Sequence, residues 1–298
     1  MIEKSFYDTN QNSSIIALGF FDAVHLGHQK VIGECVRIAK EKNLQSMVFT
    51  FSDNPATFFG KDEKLICSYP ERLDRISMLG ADIVLRAPCD KNFFSMSPSE
   101  FLMRLKELNV VDIVCGFDYT FGEKGCGNVD TLNDFCDKNG IYLKVISKIE
   151  SFGDKISSTN IRKYIERGEI EKANFLLGRN YCLSGVVIKG RGDGKKSLFP
   201  TINIDYPENK QIPKLGVYVT KTTIDGKEYS CVTNVGAHPT FNDYRENVET
   251  YVIDFDGDLY GKNICIEFVK KLRDITKFKS TDALKRQIEK DVKVAREI

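Results

Sequence analysis

One run near the start of the chain constrains the fold most, because it joins an apolar segment to a loop that carries two histidines. Residues 15–28 read IIALGFFDAVHLGH, and apolar positions at helical spacing continue over residues 29–40. This pattern predicts a buried strand, a tight loop and a helix, with His25 and His28 at the helix N-terminus. The whole chain has only three histidines, so finding two of them three residues apart indicates a candidate site.

Helix N-termini favour anions, because their first backbone N–H groups are unpaired and the helix dipole is positive at that end. Gly27 would let a phosphate approach the backbone closely, since it has no side chain. The loop therefore predicts a phosphate site at which two imidazoles offset negative charge. From the residues alone, two unrelated surface histidines or half of a metal site stay open as alternatives, although no nearby cluster completes a zinc set.

The composition indicates a soluble chain of one large or two ordinary domains. Its 298 residues are 42% hydrophobic and carry a formal net charge of +1, which predicts no nucleic-acid or membrane partner. Nine cysteines are scattered without a CxxC pair, as is typical of reduced thiols in a cytosolic protein. The polar N-terminus does not resemble a signal peptide, and no apolar run could span a bilayer. We expect a cytoplasmic protein that is a monomer or a weak homo-oligomer.

Apolar strands alternate with helical patterns through the first half of the chain. After the first strand we predict strands over residues 44–51, 81–85, 110–116 and 141–146, and helices over residues 70–79, 97–108 and 129–138. This alternation predicts a parallel sheet covered by helices on both faces, which is an α/β domain. Ligands of such sheets bind at the carboxyl ends of the strands, which is where the histidine loop lies.

Two further loops fit the same edge of this sheet. Residues 116–122 read GFDYTFG, and aromatic rings between glycines suit stacking on a flat ring, although core aromatics in an ordinary turn fit equally well. Residues 156–162 read ISSTNIR and open another helix. Its hydroxyls and the guanidinium of Arg162 could cradle a phosphate, although a well-capped helix is the simpler interpretation.

The second half shows short strands, tight turns and few helices. The strands are predicted over residues 181–189, 201–205, 216–224, 228–235, 249–254 and 264–269, and a helix follows over residues 280–297. The dipeptide at 225–226, Asp-Gly, is a hairpin signal. This pattern predicts a small antiparallel β-barrel with a C-terminal helix. We place the domains at residues 1–182 and 183–298.

Two segments of the barrel half carry candidate chemistry. Residues 190–196 read GRGDGKK, a basic glycine-rich loop that could wrap a polyphosphate or be a solvated hairpin tip. Residues 199–203 read FPTIN, in which alternation places Thr201 and Asn203 on one strand face. Their oxygens suit magnesium held with substrate phosphates, and a plain polar strand face is the alternative.

These motifs, in this order, resemble the prokaryotic bifunctional riboflavin kinase/FMN adenylyltransferase family, also called FAD synthetase, and the resemblance covers essentially the whole chain. It implies a Rossmann-like HxGH nucleotidyltransferase domain followed by a riboflavin kinase barrel. The implied partners are ATP, riboflavin and FMN. One ATP phosphorylates riboflavin to FMN, and a second ATP adenylylates FMN to FAD with release of pyrophosphate. Magnesium is implied in both halves.

The resemblance also implies residue roles. Glu249, in the run ETYVIDF, would accept the proton of the riboflavin 5′-hydroxyl, while His25, His28 and Arg162 would offset charge on the triphosphate. Nucleotide binding is implied for Gly19, Phe20, Phe21, Asp22, Gly27, Ser157, Ser158, Thr159, Gly190, Gly194, Lys195, Pro200, Thr201 and Asn203. Flavin binding is implied for Asn54, Asp118, Phe121, Glu249 and Arg273, and magnesium binding for Thr201 and Asn203.

Departures from the family pattern keep alternatives open. Ala23 stands where the family usually has glycine, and Asn54 where it usually has a histidine between two prolines. The family's second glycine before the FPT run is replaced by Leu198, and His238 fits a structural or peripheral place. The alternatives are a riboflavin kinase with a weak or inactive adenylyltransferase half, a flavin-binding protein without turnover, and a nucleotidyltransferase for another acceptor.

Overall fold

The protein is described by a computed structural model for residues 1–151, 153–188, 201–237 and 246–298. It divides into two compact units, Met1–Ser158 and Thr159–Ile298. The predicted fold class is confirmed, since the first unit is built on a parallel sheet and the second on a closed antiparallel barrel. The predicted boundary between residues 182 and 183 stays a prediction. Across the described ranges, no helix has the length and apolarity needed to cross a membrane.

The first unit is built on six parallel strands. They are β1 (Ile2–Ser5), β2 (Ser14–Leu18), β3 (Gln45–Phe51), β4 (Ile83–Ala87), β5 (Val110–Gly116) and β6 (Tyr142–Ile146). Their order in the sheet is β1-β4-β3-β2-β5-β6. Every residue of β2 is buried, as expected for a central strand with helices on both faces. The sequence did not predict β1, which is a half-exposed edge strand without an apolar run.

Helices cover both faces of this sheet. They are α1 (Leu26–Lys42), α2 (Pro55–Phe58), α3 (Tyr69–Met78), α4 (Lys91–Phe94), α5 (Pro98–Glu107) and α6 (Val129–Asn139). The cap of α3 is Ser68 and that of α5 is Ser97, and in both the serine exchanges bonds with a glutamate three residues on. Alternate residues of β2 belong to two separate cores: Ile16 to one and Ile15 to the other. A small hairpin, β7 (Glu150–Ser151) and β8 (Asp154–Lys155), follows β6.

The strand order places a crevice at the carboxyl end of β2. The chain passes from β2 to its neighbour β3 on one side, and later returns to add β5 on the other side. Leu18, the last residue of β2, is paired with Phe49 of β3 and Cys115 of β5. Such a reversal of strand order is where open α/β sheets bind ligands. The loops that follow β2, β3 and β5 therefore leave the sheet at one edge.

The second unit is a closed six-stranded barrel with helices. Its strands are β9 (Tyr181–Ile188), β10 (Thr201–Asp205), β11 (Gly216–Ile224), β12 (Lys227–Ala237), β13 (Glu246–Val252) and β14 (Asn263–Arg273). The closed order is β10-β13-β12-β11-β14-β9. The helices are α7 (Ser158–Arg167), α8 (Ile170–Leu177) and α9 (Thr281–Glu297). The predicted hairpin at Asp225 and Gly226 is confirmed, with φ of 48° and 81° at these positions.

Candidate functional site

The two histidines of the first unit stack on each other at the start of α1. His25 is the N-cap of this helix, and its Nδ1 accepts a hydrogen bond of 3.2 Å from the backbone N–H of His28. The ring centroids lie 3.6 Å apart with 20° between the planes. Because Nδ1 is an acceptor, a neutral His25 carries its proton on Nε2 and can donate from that atom. The first turn of α1 has no acidic residue to repel an anion.

Close packing holds the loop before α1 in one conformation. A Cβ on Gly27 would lie 3.0 Å from Cε1 of His25, and one on Gly19 would lie 2.7 Å from the ring of Phe21. A larger side chain at position 19 would therefore require the Phe21 ring to shift, and one at position 27 would press on the His25 ring. Phe21 and Val24 have positive φ values of 56° and 40°, which is strained for residues with side chains. Strain of this kind is typical of loops whose shape is needed for function.

Two predicted nucleotide-binding residues in this loop are held by hydrogen bonds inside the unit. Asp22 is 1% exposed, and its carboxylate accepts from the backbone N–H groups of Ile66 and Cys67 at 3.0–3.2 Å. The carbonyl oxygen of Phe20 accepts from Oγ1 of Thr50 at 2.6 Å. Asp22 thus ties the loop to the segment before α3, and Phe20 is tied to β3. Their roles in nucleotide binding stay predictions.

The aromatic loop after β5 divides into an exposed part and a buried part. Phe117 and Asp118 are exposed, and Lys155 forms an ion pair with Asp118 while its Nζ lies 4.8 Å from the ring centroid of Phe117. Phe121 is only 6% exposed and packs in the first core, with its centroid 5.2 Å from that of Phe101. Phe121 is therefore a core residue by position, and its contact with a flavin stays a prediction.

Asn54 lies just beyond β3, at the same edge of the sheet, and its side-chain amide forms hydrogen bonds with nearby backbone groups. It is 2% exposed and caps α2, with Oδ1 accepting from the N–H of Ala56 at 3.0 Å. Its Nδ2 donates to the carbonyl of Glu63 at 2.6 Å. This asparagine therefore braces the loop between β3 and α3. Its predicted contact with a flavin is not tested by these bonds and stays a prediction.

The ISSTNIR segment forms the start of α7, as the sequence predicted. The helix begins at Ser158, and Arg162 is buried at 8% exposure just past the first turn, while Thr159 is exposed. Ser157 directly precedes the helix. Arg162 and Thr159 belong to the second compact unit. Their grouping with the histidines of the first unit stays a prediction.

The second unit brings Thr201, Asn203 and Glu249 together across two paired strands. Asn203 of β10 is the direct register partner of Glu249 of β13. Oγ1 of Thr201 donates a hydrogen bond of 2.5 Å to Oε1 of Glu249. All three side chains are half-buried, so they stay within reach of a ligand. The structure thus brings three of the predicted site residues together, and their roles toward a nucleotide and a flavin hydroxyl stay predictions.

The same barrel face holds Asn234, which was not among the predicted site residues. Along β13 the half-buried Glu249 alternates with buried Val248 and Thr250, so its side chain points away from the barrel interior. Its register partner on β12 is Asn234, which is also half-buried. Glu249 therefore lies between two asparagines, Asn203 and Asn234. The sequence signal was the alternation along residues 228–235, but the pairing of strands is needed to place Asn234 here.

Arg273, a predicted flavin contact, ends β14 and is bound to α9. Its Nε and Nη2 donate to Oδ2 of Asp291 at 3.0 and 2.8 Å, and Gln287 donates to the other oxygen at 2.9 Å. The Asp291 side chain is 6% exposed and that of Arg273 is 22% exposed. The guanidinium is thus oriented by a nearly buried carboxylate, and part of it remains accessible.

Some predicted residues lie outside the described residues. They are Gly190, Gly194, Lys195 and Pro200 of the glycine-rich segment, and His238 beyond β12. In the part of the chain that the structure describes, no group of three His, Cys, Asp or Glu side chains could hold a metal ion. Thr201, Asn203 and Glu249 instead offer hydroxyl, amide and carboxylate oxygens side by side. Hard oxygen donors of this kind fit Mg²⁺ when phosphates complete its shell.

One buried charge near the first site gave no sequence signal. Arg72 is 0% exposed, and its guanidinium carbon lies 4.7 Å from the ring centroid of Phe20. Its Nη2 donates to the carbonyl of Phe51, at the end of β3, at 2.5 Å. Arginine is mostly exposed in proteins, so the sequence pattern places this residue at the surface. Only the fold shows that it lies beneath the histidine loop.

Comparisons with known proteins give a family model for each half of the chain and relatives over nearly its whole length. A family model described as FAD synthetase matches residues 7–160, and one described as riboflavin kinase matches residues 177–298. The bifunctional riboflavin kinase/FMN adenylyltransferase of Bacillus subtilis (strain 168) is 38% identical over 289 residues, covering 94% of this chain and 91% of the relative. The protein of the same name from Escherichia coli (strain K12) is 30% identical over 293 residues, covering 96% and 93%.

A solved structure from Streptococcus pneumoniae is similar over the full length of the chain. It is described as a macrolide-efflux protein, is 29% identical, covers 100% of both chains and gives a TM-score of 0.92. That description names an activity of the other protein alone. The likeness shows that both folds described above occur together in another chain.

Proposed function

We propose that the two units of this chain, which belongs to the bifunctional riboflavin kinase/FMN adenylyltransferase family, hold two separate active sites. The chain phosphorylates riboflavin with ATP and then transfers an adenylyl group from a second ATP to FMN. The observation that best supports a separate kinase site is that Thr201, Asn203 and Glu249 lie together on one face of the barrel. The stacked histidines at the start of α1 form the other candidate centre.

In the kinase unit, Glu249 is proposed to align riboflavin for attack. Its carboxylate accepts the proton of the 5′-hydroxyl while the hydroxyl oxygen attacks the γ-phosphorus of ATP, and ADP leaves. The hydrogen bond from Thr201 supports this role, because it fixes the orientation of the carboxylate before substrate binds. Arg273 is proposed to contact the flavin, with its guanidinium oriented by Asp291.

In the adenylyltransferase unit, His25 and His28 are proposed to offset charge as pyrophosphate leaves. The FMN phosphate is already anionic at neutral pH, so attack on the α-phosphorus of ATP requires no strong base. What the reaction requires is stabilisation of charge on the departing phosphates. The position of His25 supports this role, because its Nδ1 accepts from the backbone N–H of His28 and so holds the imidazole at the N-terminus of α1, where an anion is favoured. The predicted role of Arg162, a residue of the second compact unit, in offsetting charge on a triphosphate stays a prediction.

Magnesium is proposed as the metal of the kinase unit, held by Thr201 and Asn203 with substrate phosphates. When bound, it would neutralise negative charge on the substrate phosphates. The protein residues supply the remaining functions, which are holding ATP, orienting the riboflavin hydroxyl and receiving its proton. The same metal is proposed to accompany ATP in the adenylyltransferase unit.

The alternatives from the sequence are weaker than this proposal. A kinase with an inactive first half is not favoured, because both family models match and the relatives bear both activities in their names. We also propose a cytoplasmic location, which is supported by nine cysteines in the reduced form, as expected in a reducing compartment. A monomeric or weakly oligomeric state, without nucleic-acid or membrane partners, stays a prediction that sedimentation can test.

Product analysis tests the proposed function directly. The protein is incubated with riboflavin, ATP and Mg²⁺, and the flavins are separated by chromatography. We expect FMN to form first and FAD to follow. FMN without FAD would support the kinase alternative, and the absence of any new flavin would support a binding protein without turnover.

A further inference from the structure

Arg72 is a buried cation with an incomplete set of hydrogen bonds. The side chain is 0% exposed, and Nη2 donates to the carbonyl of Phe51 at 2.5 Å. Its Nε and Nη1 have no hydrogen-bond partner within the described residues. Buried charges are normally paired and fully hydrogen-bonded, because removing them from water is otherwise strongly unfavourable. Arg72 therefore lacks the environment expected of a residue kept for stability.

Among the residues that the structure describes, no carboxylate forms an ion pair with the guanidinium of Arg72. Burial lowers the pKa of the guanidinium, and the negative charge of Asp22 opposes that shift. That carboxylate is engaged by the backbone N–H groups of Ile66 and Cys67. The other groups that act on the charge are the side chains of Cys67, Tyr69 and Cys89. An arginine stays protonated in such surroundings, so a full positive charge lies under this edge of the sheet.

The residues that Arg72 contacts lie at the edge of the sheet where ligands of such folds bind. Its guanidinium lies 4.7 Å from the ring centroid of Phe20 and 5.4 Å from that of Tyr69. Phe51, whose carbonyl it holds, ends β3, and the Phe51 ring meets the Phe20 ring edge-on at 6.0 Å. Phe20 is half-exposed and lies five residues before His25. The cation therefore supports a ring that is partly accessible at the crevice.

We propose that Arg72 is a positioning residue of the adenylyltransferase site, where it holds the Phe20 ring to stack on a planar heterocycle of a bound substrate. The heterocycle is the adenine of ATP or the isoalloxazine of FMN, which share this chemistry. This inference rests on the proposed function of the first unit. A guanidinium against one face of an aromatic ring is attractive and restrains that ring. The partly accessible ring can then present a preset surface to the ligand, which favours binding.

The experiment measures FAD formation from FMN and ATP with Arg72→Met, which keeps an unbranched apolar stem and removes the guanidinium with its charge. We expect the KM of one substrate to rise roughly fivefold to tenfold, as loss of a stacking contact predicts, while kcat changes by less than about threefold. A rise for ATP alone identifies adenine, and a rise for FMN alone identifies the isoalloxazine. The matched control is Arg75→Met on the same helix, where Nη1 of the arginine contacts Sδ of Met78 at 4.0 Å.

A structural role predicts a different result. Arg72→Met would then lower kcat through loss of folded enzyme and leave both KM values unchanged, which would overturn the proposal. If Arg72→Met lowers the melting temperature by more than about 5 °C, the Arg72→Lys variant distinguishes the two roles. Lysine keeps the positive charge but has no planar guanidinium to stack on Phe20. A KM shift for Arg72→Lys supports the proposal, and wild-type KM values overturn it.

A double-mutant cycle tests whether Arg72 acts through Phe20. In a Phe20→Leu background, Arg72→Met should add less than about twofold to the KM, because the two residues act as one unit. Full additivity would contradict the proposal. The wild-type chain is the reference for the proposed function: if it makes no FAD from FMN, that function fails, whereas a working wild type with unaffected Arg72 variants rejects only this inference.

Discussion

The hydroxyl of Thr201 donates a hydrogen bond of 2.5 Å to Oε1 of Glu249, joining residues that are 48 positions apart in the sequence. The two come from strands β10 and β13, which are antiparallel neighbours in the barrel. Asn203 lies directly opposite Glu249 in the same register. The proposed base of the kinase reaction is therefore oriented by the residue that is proposed to hold the nucleotide and its metal.

Thr201→Val tests this hydrogen bond, since valine keeps the shape of the side chain and lacks the hydroxyl. We expect the kcat of riboflavin phosphorylation to fall by roughly one to two orders of magnitude, as for the loss of one positioned catalytic group. Thr201→Ser keeps the hydroxyl and should stay within about threefold of the wild type. Steady-state kinetics with riboflavin provide the measurement. Equal activity of the valine and serine variants would show that the hydroxyl is not needed.

His25 combines a structural role and a proposed catalytic role, and two substitutions separate them. His25→Ala removes the acceptor of the His28 N–H, so the unfolding free energy should fall by about 1 kcal/mol. His25→Asn restores a capping acceptor but has no imidazole. We expect both variants to lose FAD formation, and only the alanine variant to lose stability. Recovery of activity in the asparagine variant would mean that the cap, and not the imidazole, matters. Thermal melts and FMN adenylylation assays measure the two effects.

Asp291→Asn tests the support of Arg273. The substitution removes the nearly buried carboxylate that accepts from Arg273 and Gln287, so we expect a loss of about 1–3 kcal/mol in unfolding free energy. The KM for riboflavin should rise, because the guanidinium is no longer oriented. Asp282→Asn, an exposed change on the same helix, is the control. An unchanged KM with reduced stability would assign Arg273 to structure alone. Denaturant unfolding and flavin titration distinguish these outcomes.

The cysteines predict a slow and selective reaction with thiol reagents. Burial raises the pKa of Cys35 and Cys231 to about 12 and that of Cys89 to about 11. At pH 8, below all three values, these thiols are protonated and react slowly. Cys126 is exposed and should react first. A thiol titration before and after unfolding should find one fast group and then all nine. Fewer than nine after unfolding would indicate a disulfide, and Cys126→Ser should remove the fast phase.

Local patterns predicted the elements well, because each depends on residues close in sequence. The apolar periodicity predicted β2 and α1 with the histidines at the start of the helix, and the Asp225–Gly226 hairpin has the expected backbone conformation. Alternation also predicted that Thr201 and Asn203 share a face. The edge strand β1 was missed, since its burial is too slight to leave an apolar pattern. Elements made by local sequence are therefore recoverable, except where burial is weak.

Features that depend on distant pairing could not be derived from the residues. Glu249 lies beside Thr201 because β10 pairs with β13, and only the family resemblance suggested that group. The burial of Arg72 contradicts the usual exposure of arginine, so no local rule indicates it. Phe121 shows the converse difficulty: an aromatic ring in a glycine loop fits both a binding site and a core, and the ring is buried. Tertiary packing decides such cases.

The separation of the two activities in one chain is tested most directly by Glu249→Gln and His28→Ala, with flavin products resolved by chromatography. Glu249→Gln should form neither FMN nor FAD from riboflavin, yet convert supplied FMN to FAD at the wild-type rate. His28→Ala should accumulate FMN from riboflavin at the wild-type rate, with FAD formation lower by roughly two orders of magnitude. Loss of both FMN formation and the conversion of supplied FMN in either variant would contradict two independent sites, and FMN formation by Glu249→Gln would contradict the role of Glu249.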